Sequence, residues 1–220
     1  MEERKMSASA FPRLEEFATE HEIVGTALGY ASELHEDHKR KSGGPYIVHP
    51  KRVAENLLRH GHKDDMTICQ ALLHDVKEMS DARIAEMAKI FGHEIAHNVH
   101  VLSRNSVSEQ AITYHIMQNS AHTRKQARRI ISNERILCGS KSVRRVKLAD
   151  TIDNTADLET LSEAGIWTKL KESRDIFIPM GLYMKDFGMV EELRTNIKNF
   201  FGRFPEFKET FDSESLESQV

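Results

Sequence analysis

The stretch DDMTICQALLHDVKEM, residues 64–79, indicates the fold class of the chain. Its apolar residues recur every three or four positions and would form one stripe of a helix: Ile68, Ala71, Leu72 and Val76. Either Asp64 or Asp65 can cap the start, because a carboxylate there accepts a hydrogen bond from a backbone N–H of the first turn. The spacing therefore predicts an amphipathic helix over 64–79.

Helical spacing also dominates the rest of the chain, where only five prolines occur in 220 residues. Further helices are predicted over 81–90 with Ser80 or Asp81 as the cap, over 92–103, from Val143 to about Leu161, and around 167–186. Alternating strand patterns with hairpin turns are lacking, and no internal repeat or long linker is found. The sequence thus predicts a single all-α domain that ends in a frayed polar tail, DSESLESQV.

Composition argues against several classes of protein. The formal net charge of −3 arises from 31 basic and 34 acidic residues, so the chain lacks the basic surface on which binding of a nucleic-acid polymer depends. The two cysteines, Cys69 and Cys138, are far apart and form no C-x-x-C zinc motif. The charged amino terminus has no signal-peptide pattern, and no apolar run is long enough to span a membrane. We therefore expect a cytoplasmic protein.

A zinc-protease motif, H-E-x-x-H, occurs at residues 93–97. Such a site needs a third protein ligand, and the glycine and histidine that extend one form of the motif are missing after His97. On a helical wheel the buried stripe would consist of Phe91, Ile95, Val99 and Leu102. The opposite, solvated face would carry His93, His97, His100 and Arg104. We interpret the motif as a helix surface, not as a catalytic site.

A stronger metal-binding pattern is ALLHDVKE, residues 71–78. The adjacent His74 and Asp75 lie in an amphipathic segment, where burial of an ionised carboxylate is costly unless a partner or a metal compensates for it. Imidazole and carboxylate together suit a divalent ion such as manganese, iron, cobalt or zinc. Glu78 follows within one helical turn, so the three side chains would project toward the same space.

Further ligands have to come from other segments, and two residues are candidates. His49 precedes Pro50, where a helix can begin, and Asp150 lies in an otherwise helical run after the apolar residues Val146, Leu148 and Ala149. Taken alone, they are better interpreted as an ordinary loop histidine and a surface aspartate. Together with the His74-Asp75 pair they give the order H…HD…D.

This order resembles that of the HD-domain phosphohydrolases, and the flanking segments are similar to the hydrolase domain of the RelA/SpoT family. HEDHKRKSGGPYIVHPKRVA resembles the family's H-x-x-Q-x-R-K-S-G-x-P-Y-I-x-H-P-x-x-V-A, and ALLHDVKE resembles A-x-L-L-H-D-V-x-E-D. VKLADTIDN resembles V-K-L-A-D-R-L-H-N, and FGHEIAHNV and DIFIPMGLYMKDFG also resemble family segments. The resemblance implies an HD-domain helical bundle over 22–193, an amino-terminal extension over 1–21, and a carboxy-terminal helix and polar tail over 194–220.

The resemblance, which is to the small hydrolase-only alarmone enzymes, also implies a function: release of pyrophosphate from the 3′ position of guanosine tetra- or pentaphosphate. One divalent ion, manganese first and iron, cobalt, zinc or magnesium as alternatives, would be held by His49, His74, Asp75 and Asp150. Glu78 would orient or deprotonate the attacking water. Arg40 would stack on the purine of the nucleotide, and Lys41 and Ser42 would bind its base edge or its phosphates. Asn154 would bind the ribose-phosphate region. We thus expect a small-molecule substrate and no binding to a nucleic-acid polymer or a membrane. Whether the chain forms a homo-oligomer stays open.

Three departures from the family pattern leave alternatives open. Met79 stands where a second acidic residue is expected, and Thr151 stands where an arginine follows the metal-binding aspartate. Ala156 and Asp157 replace an arginine and a threonine near the phosphates, which removes cationic donors and adds an anion. The competing hypotheses are a phosphohydrolase for another nucleotide or phosphoester, and a catalytically weakened nucleotide-binding protein.

Overall fold

The computed structural model describes residues 10–40, 43–79 and 84–217. Over these residues the regular secondary structure is helical, apart from one isolated bridge between Lys39 and Pro45. The prediction of an all-α fold is therefore confirmed. None of the described helices is long and apolar enough to cross a membrane.

Backbone packing divides the chain into two compact units, Met1–Asp150 and Thr151–Val220, and the division falls inside one helix. The helices up to and including that one are α1 Pro12–Glu20, α2 Glu22–Leu34, α3 Val48–Arg59, α4 Asp65–Leu73, α5 Val76–Met79, α6 Ile84–Phe91, α7 His93–Leu102, α8 Glu109–Gln118, α9 Arg124–Cys138 and α10 Lys141–Ala156. The helices that follow are α11 Glu163–Glu172, α12 Ile178–Met184, α13 Phe187–Arg203 and α14 Pro205–Glu217. Shorter elements are 3₁₀ turns at Arg104–Ser106 and Leu158–Thr160 and a π-helical segment at Ser173–Phe177. The domain boundaries after residues 21 and 193 stay predictions.

Helix α4 is the centre of the first unit, where it packs against α2, α3 and α7. The stripe predicted from Ile68, Leu72 and Val76 is completely buried. The rest of α4 from Thr67 to Leu73 is buried as well, because neighbouring helices cover its other faces. Burial of each leucine or isoleucine contributes roughly 1.5–3 kcal/mol, so α4 holds the surrounding helices in place.

The helix predicted over 64–79 is interrupted at His74 and Asp75, so the prediction of one continuous helix is wrong. Helix α4 ends at Leu73, and a turn separates it from α5. The Glu78 N–H donates to the carbonyl of Asp75 at 2.9 Å, which is a bond across three residues instead of the four of an α-helix. The adjacent polar pair therefore lies at a helix junction and not on a continuous helical face.

The predicted helix caps have mixed outcomes. Of the two aspartates at the start of α4, Asp64 is the cap, since its Oδ1 accepts a hydrogen bond from the Thr67 N–H at 2.9 Å. Ser80 and Asp81, predicted as caps of the next helix, lie outside the described residues. The described part of that helix, α6, begins at Ile84.

Other predicted helices are found with different ends. Helix α7 agrees with the prediction over 92–103, whereas α10 ends at Ala156 and only a 3₁₀ turn follows it. The segment predicted around 167–186 consists of the end of α11, the π-helical segment and α12. Helix α14 continues to Glu217, so most of the segment predicted as a frayed tail is helical.

Aromatic side chains of α13 form part of the core of the second unit. The ring of Phe200, which is buried, lies 4.9 Å from that of Phe204 and 5.3 Å from that of Phe207. The Trp167 ring approaches Phe207 to 5.2 Å from the side of α11. These contacts fix α14 against α13, since aromatic pairs at such distances are favourable beyond the area they bury.

The start of α1 is capped by a residue distant in sequence. Phe11, at the N-cap position, provides no side-chain hydrogen bond. Glu55 of α3 takes this role: its Oε2 accepts from the Leu14 N–H at 2.8 Å, and its Oε1 accepts from the Arg13 side chain at 3.2 Å. Leu14 is completely buried, so the carboxylate of Glu55 satisfies a backbone donor that water does not reach.

We expect Glu55→Ala to lower the free energy of unfolding by about 1–2 kcal/mol, because the first turn of α1 loses its acceptor. Glu55→Gln keeps an acceptor oxygen and should lose less. Urea unfolding followed by circular dichroism measures both variants, with Glu16→Ala on the exposed surface of α1 as the control. A Glu55→Ala protein as stable as the control variant would contradict the assignment.

Candidate metal centre

Side chains from three segments of the first unit converge at one buried point. His49 lies in the first turn of α3, His74 follows the last residue of α4, and Asp150 lies in α10. One ligand atom from each of the three lies within 4.8 Å of those of the other two, and all three residues are buried. Among the described residues this is the one group of three or more histidine, cysteine, aspartate or glutamate side chains that meets this distance.

Asp75 lies against the same group. Its Oδ2 is 3.4 Å from His49 Nε2 and 3.3 Å from His74 Nε2. Asp150 contributes Oδ1, which is 3.1 Å from His49 Nε2 and 3.8 Å from His74 Nε2. The structure thus brings together the four side chains predicted as ligands, although their role as ligands stays a prediction.

The hydrogen bonds of His74 suit it to bind a cation. Its Nδ1 lies 2.7 Å from the Ala71 carbonyl, which can only accept, so Nδ1 carries a proton. Its Nε2 is buried and has no hydrogen-bond partner among the described residues. In a neutral ring this nitrogen presents a lone pair toward Asp75 and Asp150, which is the arrangement found in metal-binding histidines.

The electrostatics of the cluster favour a positive charge at its centre. Burial opposes protonation of His74, but the negative charges of Asp75 and Asp150 outweigh it and raise the pKa of His74 well above its ordinary value. Burial likewise opposes ionisation of both carboxyl groups, yet the neighbouring His74 and His49 hold the pKa of Asp75 well below its usual range. The carboxylates are therefore ionised at neutral pH, and the negative field that raises the pKa of His74 would also favour a divalent ion at this point.

Lys147 is a site residue that the sequence analysis missed. Its side chain is buried, and Nζ donates a hydrogen bond to Asp150 Oδ2 at 2.7 Å. This contact lowers the pKa of Asp150, against the effect of burial, and leaves Oδ1 to face the histidines. The sequence signal was the i, i+3 spacing of a lysine and an aspartate in an otherwise apolar helical stretch.

Tyr46 was also missed, although it is part of the segment GGPYIVHP. Its hydroxyl donates to Asp75 Oδ2 at 2.6 Å, which orients that carboxylate toward the histidines. Burial and the adjacent Asp75 charge raise the pKa of Tyr46, so the phenol stays protonated and remains a donor. Its spacing of three residues from His49 was the available signal.

The ring of His35 packs against that of Tyr46, with the ring centres 5.0 Å apart. It is completely buried, and neither ring nitrogen has a hydrogen-bond partner among the described residues. Burial lowers the pKa of His35 to about 4, so it is neutral at physiological pH and adds no positive charge beside the site. Its signal in the sequence was its position as the first residue of the HEDHKRKSGG segment.

Glu78, the predicted catalytic residue, lies in α5 one turn after Asp75. Its Oε1 accepts a hydrogen bond from the backbone N–H of Arg104 at 2.5 Å, which joins α5 to the 3₁₀ turn after α7. Burial, followed by the nearby negative charge of Asp75, raises the pKa of Glu78. A carboxylate whose pKa moves toward neutrality is better suited to accept a proton than an ordinary surface glutamate.

The predicted nucleotide-binding residues are only partly described. Arg40 is half-buried in the loop between α2 and α3, where its N–H donates to the Gly44 carbonyl at 2.8 Å. Lys41 and Ser42 lie outside the described residues. Asn154 is half-buried, belongs to the second unit, and lies four residues after Asp150 in the chain. The nucleotide contacts of all four residues remain predictions.

The H-E-x-x-H motif is a helix surface. His93, Glu94 and His97 are exposed, and none of them belongs to the metal-capable group. The stripe predicted to be buried is confirmed for Phe91, Ile95, Val99 and Leu102. The prediction that His100 and Arg104 also lie on the solvated face is wrong, since both residues are half-buried. The side chain of Arg135 in α9 donates to the backbone carbonyl of His100 at 3.0 Å.

The chain belongs to the HD domain family, whose sequence pattern matches residues 27–182. This match covers more than half of the chain and includes the four predicted metal ligands. A solved structure with the same fold is described as "A metazoan ortholog of SpoT hydrolyzes ppGpp and plays a role in starvation responses". It shares 21% sequence identity, has a TM-score of 0.60, and the match covers 90% of this chain and 97% of that one.

Curated relatives extend the comparison. A probable guanosine-3′,5′-bis(diphosphate) 3′-pyrophosphohydrolase of Synechocystis is 33% identical over 168 residues, which is 76% of this chain and 20% of that protein. A protein of the same description in Mycoplasma genitalium is 34% identical over 145 residues, 64% of this chain and 19% of that protein. A GTP pyrophosphokinase of Brucella melitensis is 33% identical over 78% of this chain and 22% of that protein. The chain thus spans about a fifth of the length of these relatives.

We expect His74→Ala to abolish stoichiometric binding of manganese, because the substitution removes a buried ring nitrogen from the centre of the cluster. Elemental analysis of dialysed protein measures the metal content, and circular dichroism checks that the variant is folded. His93→Ala is the matched control, since His93 is an exposed helical histidine. If His93→Ala lost the metal and His74→Ala retained it, the metal site would instead be the H-E-x-x-H motif.

Proposed function

We propose that this chain is a metal-dependent pyrophosphohydrolase that releases pyrophosphate from the 3′ position of guanosine tetra- or pentaphosphate. The observation that carries the proposal is the buried group of His49, His74 and Asp150, with Asp75 against it, in a chain of the HD domain family. The names of the Synechocystis and Mycoplasma relatives support the choice of substrate. We also propose a cytoplasmic location, as expected for an enzyme that acts on a free nucleotide.

A divalent ion fits the donors of this site, and manganese is the first choice. Two imidazoles and two carboxylates suit Mn, Fe, Co or Zn better than Mg, which prefers oxygen ligands alone. When bound, such an ion lowers the pKa of a water molecule and polarises a phosphoryl oxygen. The chain's contribution is to keep both carboxylates ionised and both rings oriented toward one point.

The surrounding residues hold this donor set in place. Lys147 fixes Asp150 through Oδ2, and Tyr46 fixes Asp75 through its hydroxyl. The Ala71 carbonyl fixes the tautomer of His74. Because each partner is itself buried or half-buried, the ligands need little rearrangement when they bind the ion.

Glu78 is assigned the role of the base that orients the attacking water and accepts its proton. Its raised pKa and its position one turn after Asp75 support this role. The hydrogen bond from the Arg104 backbone holds one carboxylate oxygen, and the other oxygen takes no part in that bond. Arg40 would stack on the purine, Lys41 and Ser42 would contact the base edge or phosphates, and Asn154 would contact the ribose-phosphate.

We expect Glu78→Gln to lower kcat about 10²–10⁴-fold, because an amide cannot accept the proton of the water. Metal content should stay at the level of the unsubstituted protein, since Glu78 is outside the proposed ligand set. The amide oxygen can still accept from the Arg104 N–H, so the junction between α5 and the 3₁₀ turn is preserved. Pyrophosphate release with manganese measures the rate, and an unchanged kcat would exclude Glu78 as the base.

A second candidate function is hydrolysis of another nucleotide or phosphoester. Thr151, where the family pattern has an arginine, is 1% exposed, and Ala156 and Asp157 bring no cation. This chain therefore lacks two arginines of the family pattern, one of which would meet a phosphate. A nucleotide-binding protein with weakened catalysis is a third candidate, which the replacement of a second acidic residue by Met79 favours.

A substrate screen separates the three functions. With manganese, the purified protein is expected to release pyrophosphate from the guanosine tetraphosphate faster than it releases phosphate or pyrophosphate from GTP, GDP or ATP. An intact tetraphosphate beside rapid hydrolysis of another nucleotide would support the second function. Saturable nucleotide binding without turnover, under any of the divalent ions named above, would support the third.

A further inference from the structure

The second unit contains a cavity of about 510 Å³ that has no role in the proposed hydrolysis. It is lined by residues of the π-helical segment, α12, α13 and α14, and so lies wholly within the second unit. Its volume falls within the range of sites that hold a small organic molecule.

The floor of the cavity is apolar. Ile178, Ile197, Phe201 and Phe211 supply it, and the rings of Phe201 and Phe211 lie 5.4 Å apart. Among the described lining residues there is no asparagine, glutamine, serine or threonine, so they provide no side-chain amide or hydroxyl for the polar edge of a nucleobase. The floor therefore suits a hydrocarbon chain better than a nucleotide.

The charged residues that the structure describes along the cavity are all basic: Arg174, Arg194, Lys198 and Lys208. Arg174 lies over the Phe211 ring at 4.6 Å and bonds to Asp175 at 2.6 Å, so its guanidinium is already fixed. Arg194 bonds to Glu191 at 2.6 Å. Lys198, one helical turn after Arg194 in α13, is exposed and forms no ion pair among the described residues.

We propose that the second unit binds a single-chain amphiphile, with its alkyl chain on the apolar floor and an anionic carboxylate or phosphate monoester beside Lys198. Charge complementarity sets the sign of the head group, since the charged lining residues that the structure describes are all basic. The size of the cavity indicates a small ligand: nine described residues line it, whereas a protein partner in a stable complex contacts about 20–30 residues a side.

Gly202 offers a way to fill the cavity without damage to the fold. It lies in the last turn of α13 and lines the cavity, and a Cβ atom added to it would meet no heavy atom within 4 Å. Leucine is also a better helix former than glycine. Gly202→Leu should therefore occupy part of the binding space and keep the helix.

Isothermal titration calorimetry on the full chain tests the proposal with decanoate and decyl phosphate, both kept below micelle formation. Decanol and decyltrimethylammonium provide the same chain with a neutral and a cationic head. We expect saturable binding of the two anions only. Lys198→Glu and Gly202→Leu should each weaken that binding by about tenfold or more, whereas Lys125→Glu, at an exposed lysine of α9, should leave it unchanged.

Several results would overturn the proposal. Equal binding of decanol would show that the cations play no part, and retention of anion binding in both variants would place the ligand elsewhere. Binding to vesicles of phosphatidylglycerol, or to an acidic amphipathic peptide, without binding of the monomeric anions would show that the basic face recognises a membrane or a protein. If neither decanoate nor decyl phosphate showed saturable binding, the proposal would also be rejected.

Discussion

The first unit is organised around the burial of ionised carboxylate groups. Asp150 is 6% exposed, and an ionised carboxylate at that depth requires compensation that apolar packing does not provide. Lys147 supplies one opposite charge, and His49 and His74 face the other carboxylate oxygen. Three separate helical segments must therefore meet at one point for this residue to be accommodated. The same convergence creates a group of atoms that can coordinate a divalent ion.

The junction between α4 and α5 determines how two adjacent residues serve the same centre. On a continuous helix His74 and Asp75 would point about 100° apart around the axis. The turn after Leu73 brings His74 Nε2 and Asp75 Oδ2 to 3.3 Å from each other, beside His49. Because α4 is buried on all sides, its end is fixed by the packing of α2, α3 and α7. The rigidity of the apolar core is thus transmitted directly to the polar residues.

The described part of each unit contains a site with its own chemistry. The first unit presents a compact acidic and histidine-rich centre, in which each carboxylate has a fixed hydrogen-bond donor. The second unit presents an apolar floor with a basic margin, in which Lys198 lacks an acidic partner among the described residues. The first arrangement suits a metal ion, and the second suits an anion that carries a hydrocarbon chain. The two sites favour ligands of opposite charge because the side chains that line them carry opposite charges.

Much of the fold and of the candidate site follows from short-range patterns in the sequence. The period of apolar residues determines the all-α class and the buried face of α7, and the pair Asp64 and Asp65 limits the cap of α4 to two residues, because these features depend on neighbours within one or two helical turns. The His74-Asp75 pair indicates a metal site, since polar residues in an apolar helical setting need compensation, and the resemblance of the order H…HD…D to the HD-domain pattern adds His49 and Asp150 as further ligands. Tertiary structure alone decided the break at His74, the cap that Glu55 gives to α1, and the roles of Lys147 and Tyr46. Each of these depends on burial and on contacts between helices distant in sequence, and helical periodicity carries no information about which distant side chain will face a buried group.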